Sequence, residues 1–280
     1  MNNLAILSSR PLSLPESLNG SVASCCKFDS EGVRLYAATD NVRVAGIKDK
    51  TDQFSIELPS PAVILSLHYD EETEALVLVC DDGMVFLLHL KSMRYEIVGD
   101  LESTLLCSSG GPDGEVTVCL TSSLNLVALS ASWEVLAVVQ VDPSDVSPGF
   151  QPMLAWQADG LRVALFSQDS SGTRVISVFD RSLMLEARSA PLPNLGDKIA
   201  FSPDGELIAA TQRIGEGAGT PIQVIFFEPN GLRHFEFQLP KKYWEADVDA
   251  LTWNADASLL ALCLRGAPRS TSAQGGQIFD

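Results

Sequence analysis

The sequence is poor in basic residues, in histidine and in long apolar runs. Its 280 residues include 19 lysines and arginines against 36 aspartates and glutamates, for a net charge of −17, and three histidines. No apolar run approaches the ~18 residues of a membrane-spanning helix, and the start of the chain lacks the basic leader of a secretory signal. Without a long apolar run, we expect no membrane contact from this segment. Nucleic-acid binding depends on clustered lysine and arginine, so we also expect no direct binding of nucleic acid.

The cysteines show neither the pairing nor the spacing of a zinc site. They form no C-x-x-C pair and have no nearby histidine at zinc-ligand spacing, and their positions are Cys25, Cys26, Cys80, Cys107, Cys119 and Cys263. Cys80, Cys119 and Cys263 lie in apolar runs, where a thiol acts as a small hydrophobe. Adjacent cysteines bridge only with strain, so we expect Cys25 and Cys26 in a strand. These features predict reduced thiols in a cytoplasmic or nuclear protein.

One phrase recurs along the chain and indicates a repeat. "IAFSPDGELIAATQ" (Ile199 to Gln212) and "LTWNADASLLALCL" (Leu251 to Leu264) share an aromatic residue, a polar turn and an aliphatic run. Six such units can be aligned, and the third, Leu105 to Leu120, lacks the aromatic residue. In the other five the aromatic residues are Phe28, Tyr69, Trp156, Phe201 and Trp253. The spacing of roughly 40 to 50 residues is typical of β-propeller blades and of some helical solenoids.

The residues around each turn favour strands over helices. The runs after the turns are rich in β-branched and small residues, and Pro-Asp-Gly or Asp-Gly turns reverse a chain tightly. A second hairpin follows in most units, which gives the four-stranded sheet of a propeller blade. A β-sandwich also has short strands, but it does not explain the long repeat. The sequence therefore predicts an all-β fold, a WD-type β-propeller with about six blade units visible out of seven.

The last unit is shorter than the others. It stops at "GGQIFD", and "NLAILSS" (Asn3 to Ser9) resembles a closing strand without a partner blade. An open blade exposes unpaired backbone groups, which favours association. We therefore expect residues 1–280 to form a single propeller domain that is truncated at its C-terminus.

The sequence predicts no catalytic, cofactor-binding or metal-binding residues. His68 and His89 lie in strand-like runs, which favours structural roles, and His234 is remote from both. "GEGAG" (Gly215 to Gly219) lies between strands rather than before a helix, so we interpret it as a hairpin loop and not as a phosphate cradle.

Several polar and aromatic segments are candidates for loops or contacts. Asp70 to Thr73 and Asp81-Asp82 are interpreted as solvated turns, whose summed charge could face a basic partner. Tyr243 and Trp244 are predicted to pack against a neighbouring blade, with an interface hot spot as the alternative. We also expect three exposed loops, at Asp142 to Gln151, Asp169 to Arg174 and Arg213 to Pro221.

The second half of the chain resembles a known family. The segments that carry the resemblance are "VISVFDRSLMLEARSAPLPNLGDKIAFSPDGELIAATQ", "IQVIFFEPNGLRHFEFQLP" and "VDALTWNADASLLALCL". In particular, Phe-Phe-Glu-x-Asn-Gly-Leu at Phe226 to Leu232 and Trp-Asn-Ala-Asp at Trp253 to Asp256 resemble the IKAP family, the largest scaffold subunit of the Elongator complex. The resemblance is strong from Trp156 to Leu264, and the first 150 residues fit mainly by the rhythm of the repeat.

The resemblance implies a non-catalytic scaffold. Members of this family are similar in having two N-terminal propellers, a helical solenoid and a dimerisation region, and they hold a catalytic radical-SAM/acetyltransferase subunit and a second propeller subunit in a complex that modifies wobble uridines of tRNA. This chain would cover most of the first propeller and need no cofactor. The alternatives are a generic WD-repeat adaptor outside Elongator, a propeller enzyme with a site at its channel, and a truncated product without function.

Overall fold

The fold consists of antiparallel β-sheets. The computed structural model describes residues 23–28, 34–39, 43–47, 53–58, 62–70, 73–215, 219–266 and 277–279. Within these ranges the chain forms β-strands and two single-turn 3-10 helices, Pro143–Asp145 and Lys241–Tyr243, and contains no α-helix. The all-β prediction is confirmed.

The described residues form twenty-four strands, which make six sheets in chain order. The first three sheets contain β1 (Ala23–Phe28), β2 (Leu35–Thr39), β3 (Arg43–Ile47) and β4 (Gln53–Glu57); β5 (Ile64–Asp70), β6 (Ala75–Cys80), β7 (Met84–His89) and β8 (Arg94–Asp100); and β9 (Leu105–Gly110), β10 (Val116–Thr121), β11 (Asn125–Ser130) and β12 (Val135–Gln140). The last three contain β13 (Met153–Trp156), β14 (Arg162–Gln168), β15 (Thr173–Asp180), β16 (Leu185–Arg188) and β17 (Leu192–Pro193); β18 (Leu195–Phe201), β19 (Ile208–Arg213), β20 (Ile222–Phe227) and β21 (Arg233–Gln238); and β22 (Asp247–Trp253), β23 (Leu260–Arg265) and β24 (Gln277–Phe279).

The chain divides into two compact units, with the boundary after Leu136, inside β12. In the first unit the opening strands of successive sheets are neighbours: β1 lies beside β5, and β5 beside β9. In the second unit β13 lies beside β18, and β18 beside β22. Each unit therefore repeats the same element, a meander of strands whose first strand faces the first strand of the next sheet.

Within each unit the apolar cores lie between successive sheets. Strands β6, β10, β14 and β20 carry apolar residues on both faces, and nearly all of them are buried. In the second unit one cluster, including Phe166 and Phe227, fills the space between the fourth and fifth sheets. Another, including Phe226 and Leu262, fills the space between the fifth and sixth. A sheet that is buried on both sides needs such continuous apolar runs, which explains why "LIAAT" and "VIFF" do not alternate with polar residues.

The aromatic residues of the repeat occupy one structural position. Trp156, Phe201 and Trp253 each end the first strand of a sheet, and the next residue closes the turn by backbone pairing. In the third sheet the same position is Gly110, since Gly111 N–H donates to Val116 O at 2.7 Å. The alignment of the repeat, including its missing aromatic residue, is confirmed.

One prediction concerns a segment wholly outside the described residues, the closing strand at Asn3 to Ser9. "QIF" does form the third strand of the sixth sheet, paired with β23. The single domain over residues 1–280, its C-terminal truncation and the count of seven blades stay predictions.

Gly231 allows two sheets of the second unit to approach closely. Its φ is +83°, and a Cβ built on it would lie 2.5 Å from the backbone oxygen of Arg188 in the fourth sheet. Gly172 has nearly the same φ, +82°, but no atom within 4 Å of such a Cβ. Both positions favour glycine through their backbone angle, and only Gly231 adds a steric demand.

We expect Gly231→Ala to destabilise the protein by about 1–3 kcal/mol more than Gly172→Ala, because only the former overpacks the contact between the sheets. Urea unfolding of both variants, followed by tryptophan fluorescence, measures the difference. Equal losses in the two variants would show that the contact at Arg188 carries no constraint.

Candidate functional site

Aspartate and asparagine side chains shape the turns of the sheets. In each case a side-chain oxygen accepts a hydrogen bond from the backbone N–H two residues later, a geometry that favours a tight reversal. The residues that do so include Asp82, Asp113, Asp159, Asp180, Asp204, Asn230 and Asp256. Many of the acidic residues are therefore structural, although the sequence alone suggested only solvated loops.

The segment Phe226 to Leu232 is a buried strand end followed by a tight turn. Phe226 and Phe227 are buried. Glu228 N–H donates to Leu232 O at 2.8 Å and Gly231 N–H donates to Glu228 O at 2.9 Å, which closes the turn. The two phenylalanines of the motif therefore pack in the core, and Glu228 and Asn230 remain at the surface.

The segment Trp253 to Asp256 packs against the first motif. The rings of Trp253 and Phe226 lie 5.7 Å apart between centroids, and Trp253 Nε1–H donates to Ala200 O at 3.2 Å. Asn254 then fixes the turn, since its Oδ1 accepts the Leu259 N–H at 2.8 Å. The two motifs that carry the family resemblance thus meet in the layer between the fifth and sixth sheets.

An open polar cleft of about 530 Å³ lies beside the Phe226 to Leu232 turn. The fifth sheet contributes two turns, Asp204–Leu207 and Glu228–Asn230, together with His234 on its outer strand. The fourth sheet contributes Gln157 and Arg162. The volume lies within the range of small-ligand sites, and the lining is mostly polar and charged.

Acidic groups dominate the charge of the cleft. Asp204, Glu206 and Glu228 line it. Arg162 also lines it, but its Nε lies 2.5 Å from an oxygen of Glu186, so its charge is already balanced. The cleft therefore presents a negative surface at neutral pH.

Glu228 is held by two neighbours. His234 Nδ1 lies 3.1 Å from Glu228 Oε1, and Asn230 Nδ2–H donates to Glu228 Oε2 at 2.8 Å. The hydrogen bond from His234, followed by that from Asn230, lowers the pKa of the Glu228 carboxyl below its usual value, because both favour the ionised form. Glu228 is thus a carboxylate held in one position at the first residue of the turn.

Gln157 has a hydrogen-bond acceptor without a partner. Its side chain is buried, with 5% of the residue exposed, and its Nε2–H donates to Asp159 Oδ2 at 3.2 Å. Its Oε1 has no hydrogen-bond partner. The amide packs on Gly205, where a Cβ would lie 2.0 Å from Nε2. A buried amide oxygen without a donor is costly, and this one belongs to a residue of the cleft.

Sequence reasoning missed this cleft. Gln157, Asp204 and Glu228 are far apart in the chain, and they meet because successive sheets place their turns at the same end. One part of the cleft could have been predicted from the sequence. The turn after Phe227 joins two strands of a hairpin, and this brings Glu228 and His234 together.

The other histidines have structural surroundings. His68 of the second sheet lies against two turn glycines of the third, 3.8 Å from a Cβ built on Gly110 and 2.7 Å from one built on Gly114. It thus packs beside the position where the third unit lacks an aromatic residue. His89 Nε2 lies 3.2 Å from Glu96 Oε1 on the neighbouring strand, and both side chains are exposed. These positions agree with the structural roles expected for His68 and His89.

Among the cysteines whose side chains the structure describes, none forms a disulfide. Burial raises the pKa of Cys107 to about 12 and that of Cys119 to about 11, so both thiols stay protonated. Cys80 is buried as expected. The expectation for Cys263 was wrong in one respect, because its side chain is exposed on β23. Cys25 and Cys26 lie in strand β1, as predicted.

The segment between the fifth and sixth sheets is well packed. Tyr243 is buried in the core between these sheets, which confirms its predicted packing. Trp244 Nε1–H donates to Leu239 O at 2.9 Å, and Arg213 Nη1–H donates to Trp244 O at 2.8 Å.

Among the described residues, no group of three His, Cys, Asp or Glu side chains is placed to hold a metal ion. No helix in the same ranges is long and apolar enough to cross a membrane.

The predicted loops are partly anchored. In Asp142 to Gln151, Asp145 pairs with Arg188, and Phe150 packs on Phe166 with ring centroids 5.7 Å apart. Asp169 to Arg174 is a tight turn closed by backbone pairing. Arg213 to Pro221 joins two antiparallel strands, as expected of a hairpin loop, and residues 216–218 within it lie outside the described ranges.

We expect His234→Ala to raise the pKa of the Glu228 carboxyl toward its usual value, because the variant removes the main hydrogen bond to the ionised form. The hydrogen bonds to ionised Glu228 stabilise the fold above the ordinary glutamate pKa, and this contribution is lost as the pH falls through the lowered pKa. A ¹³C NMR titration of the side-chain carboxyl measures the shift. His89→Ala is the control and should leave the Glu228 titration unchanged; an unchanged titration in His234→Ala would contradict the assignment.

Comparison with known proteins agrees with this architecture. A family model described as "ELP1 first N-terminal beta-propeller" matches residues 1–151 and 146–269. It covers the first half of the chain as well as the second. The six antiparallel sheets are accordingly blade units of a β-propeller.

The chain is also similar to individual proteins. Elongator complex protein 1 of Rattus norvegicus is 28% identical over 242 residues, which covers 72% of this chain and 18% of the relative. Putative elongator complex protein 1 of Xenopus laevis is 34% identical over 139 residues, which covers 49% of this chain and 12% of the relative. Elongator complex protein 1 of Schizosaccharomyces pombe is 21% identical over 305 residues, which covers 88% of this chain and 23% of the relative. The chain thus spans less than a quarter of the length of these relatives. Because the family model matches well over half of the chain, the chain belongs to the family of ELP1 first N-terminal β-propellers.

Proposed function

We propose that this chain is a non-catalytic, protein-binding propeller of the Elongator scaffold subunit. The observation that carries the proposal is the family match over residues 1–151 and 146–269. A propeller supplies rigid sheets, and the loops and outer strands that they hold are free to contact other proteins. The generic adaptor outside Elongator has no comparable support.

The described surface fits a protein partner. Large apolar side chains are exposed on outer strands or beside them, among them Ile97 in the second sheet, Met184 in the fourth and Leu232 in the fifth. Contiguous exposed apolar patches are typical of interaction surfaces, and these side chains are candidates for such contacts. The net charge of −17 favours basic protein surfaces and disfavours RNA.

The finer assignments are part of the same proposal. Residues 1–280 act as one propeller domain in the cytoplasm or nucleus. The partners are the other Elongator subunits, namely the catalytic radical-SAM/acetyltransferase subunit and the second propeller subunit. Through them the chain supports wobble-uridine modification of tRNA, without a cofactor of its own.

Affinity purification of the tagged chain from its own cells, followed by mass spectrometry, should recover the other Elongator subunits. The full-length gene product and the tag alone are the positive and negative controls. Recovery of these subunits by the full-length product but not by the chain would contradict a contact in this segment. Recovery of an unrelated set by both would overturn the Elongator assignment.

A further inference from the structure

The polar cleft between the fourth and fifth sheets has the chemistry of a site for a cationic hydrogen-bond donor. We propose that it binds the guanidinium group of an arginine side chain presented by a protein partner. Its acceptors, its charge and an unpartnered buried amide all support the same occupant.

The cleft offers several acceptors that point to one cation. Glu228 is ionised and fixed in place by His234 and Asn230, so no ordering of this carboxylate is needed when a ligand binds. Asp204 and Glu206 line the cleft from another turn of the same sheet. Because Arg162 is already paired with Glu186, the cation of the cleft itself does not neutralise these three carboxylates.

Gln157 provides independent evidence for a donor. It is almost fully buried, and its Oε1 has no hydrogen-bond partner although the residue lines the cleft. The terminal torsion of glutamine is broad, and a single hydrogen bond to Asp159 at 3.2 Å holds the amide. Rotation about this torsion can turn Oε1 to a donor that enters the cleft, and a hydrogen bond there removes the cost of a buried acceptor without a partner.

Arginine fits this set of acceptors better than lysine. Its guanidinium carries five N–H donors in a planar fork and pairs with carboxylates at two points, whereas the lysine ammonium is a compact, strongly hydrated charge. The acceptors of the cleft come from separate turns and two sheets, so a branched planar donor can reach several of them at once. Charged hydrogen bonds of this kind are stronger than neutral ones.

The preference for guanidinium follows from the cleft alone, whereas its assignment to a protein partner rests on the proposed function. A scaffold contact that inserts one arginine into a polar cleft has the form of an interface hot spot, in which arginine is enriched. The two parts can therefore fail separately.

We expect the full 280-residue chain to bind acetyl-Gly-Arg-Gly-amide at least tenfold more tightly than the peptide in which neutral citrulline replaces arginine. The lysine peptide should lie between them. Titrations followed by ¹H–¹⁵N NMR at low salt give the affinities, and the largest shifts should fall on the Gln157 side-chain amide and the Gly205 and Gly231 backbone amides. Binding of the arginine peptide should weaken as salt is added.

Variants separate the cleft from general charge. Glu228→Gln removes a carboxylate but keeps the size of the side chain, and it should weaken the arginine peptide about tenfold or more. Gln157→Met removes the amide acceptor and should weaken it about two- to tenfold. Glu96→Gln is the matched control, because Glu96 pairs with His89 on an exposed hairpin outside the cleft, and it should leave the affinity unchanged.

Three results would overturn the proposal: equal affinity for the arginine and citrulline peptides, equal affinity for arginine and lysine, or shifts that map away from the cleft. The first two comparisons use the unaltered chain and do not depend on how the variants fold. If the chain does not distinguish the peptides but still recovers Elongator subunits, the guanidinium-binding proposal is wrong and the proposed function is supported. If it binds the arginine peptide selectively but recovers none of those subunits, the proposed function is wrong and the guanidinium site is supported.

Discussion

The packing of one sheet on the next is the constraint on which this structure depends. Strands such as β6 and β20 are buried on both faces, so neither they nor their sheets are stable without a neighbouring sheet on each side. Burial of apolar side chains is the main favourable contribution to the free energy of folding. In this protein the buried apolar surface lies between sheets rather than within one sheet. This explains why each repeat unit contains an apolar run and a turn. The outer strands β8, β16 and β21 instead carry exposed side chains.

The turns therefore carry two different tasks. Many aspartates of this acidic chain accept backbone N–H groups, as Asp204 and Asp256 do, and these carboxylates fix the reversals between buried strands. Hydrogen bonds from Ser258 lower the pKa of Asp256, so its carboxylate stays ionised and accepts these bonds at a lower pH than an ordinary aspartate does. The net charge thus overstates the acidity that is available to partners, and the carboxylates around Glu228 are notable because they also face a cleft.

Sequence reasoning reached the architecture because the repeat is local. A strand end, a turn and a buried strand lie within fifteen residues, so Trp156, Phe201 and Trp253 could be aligned without knowing their neighbours. It failed where contacts join different sheets. The side-chain amide of Gln157 rests on Gly205, and His68 fills the space beside Gly110, but neither pair leaves a pattern along the chain. Cys263 was wrongly interpreted because a run of apolar letters does not say which face of the last sheet is covered.

The turn from Phe226 to Leu232 links packing to the cleft. Its inward part, Phe226 with Trp253 and Gly231 with Arg188, fixes the fifth sheet against both of its neighbours. Its outward part places Glu228 beside His234. A change to the inward residues must alter the cleft as well, because the same few peptide bonds set both, whereas Glu228→Gln keeps the backbone pairing with Leu232 and changes the charge alone. The resemblance in this motif therefore reflects a structural requirement first, and a binding role can be assigned only to the side chains that leave the core.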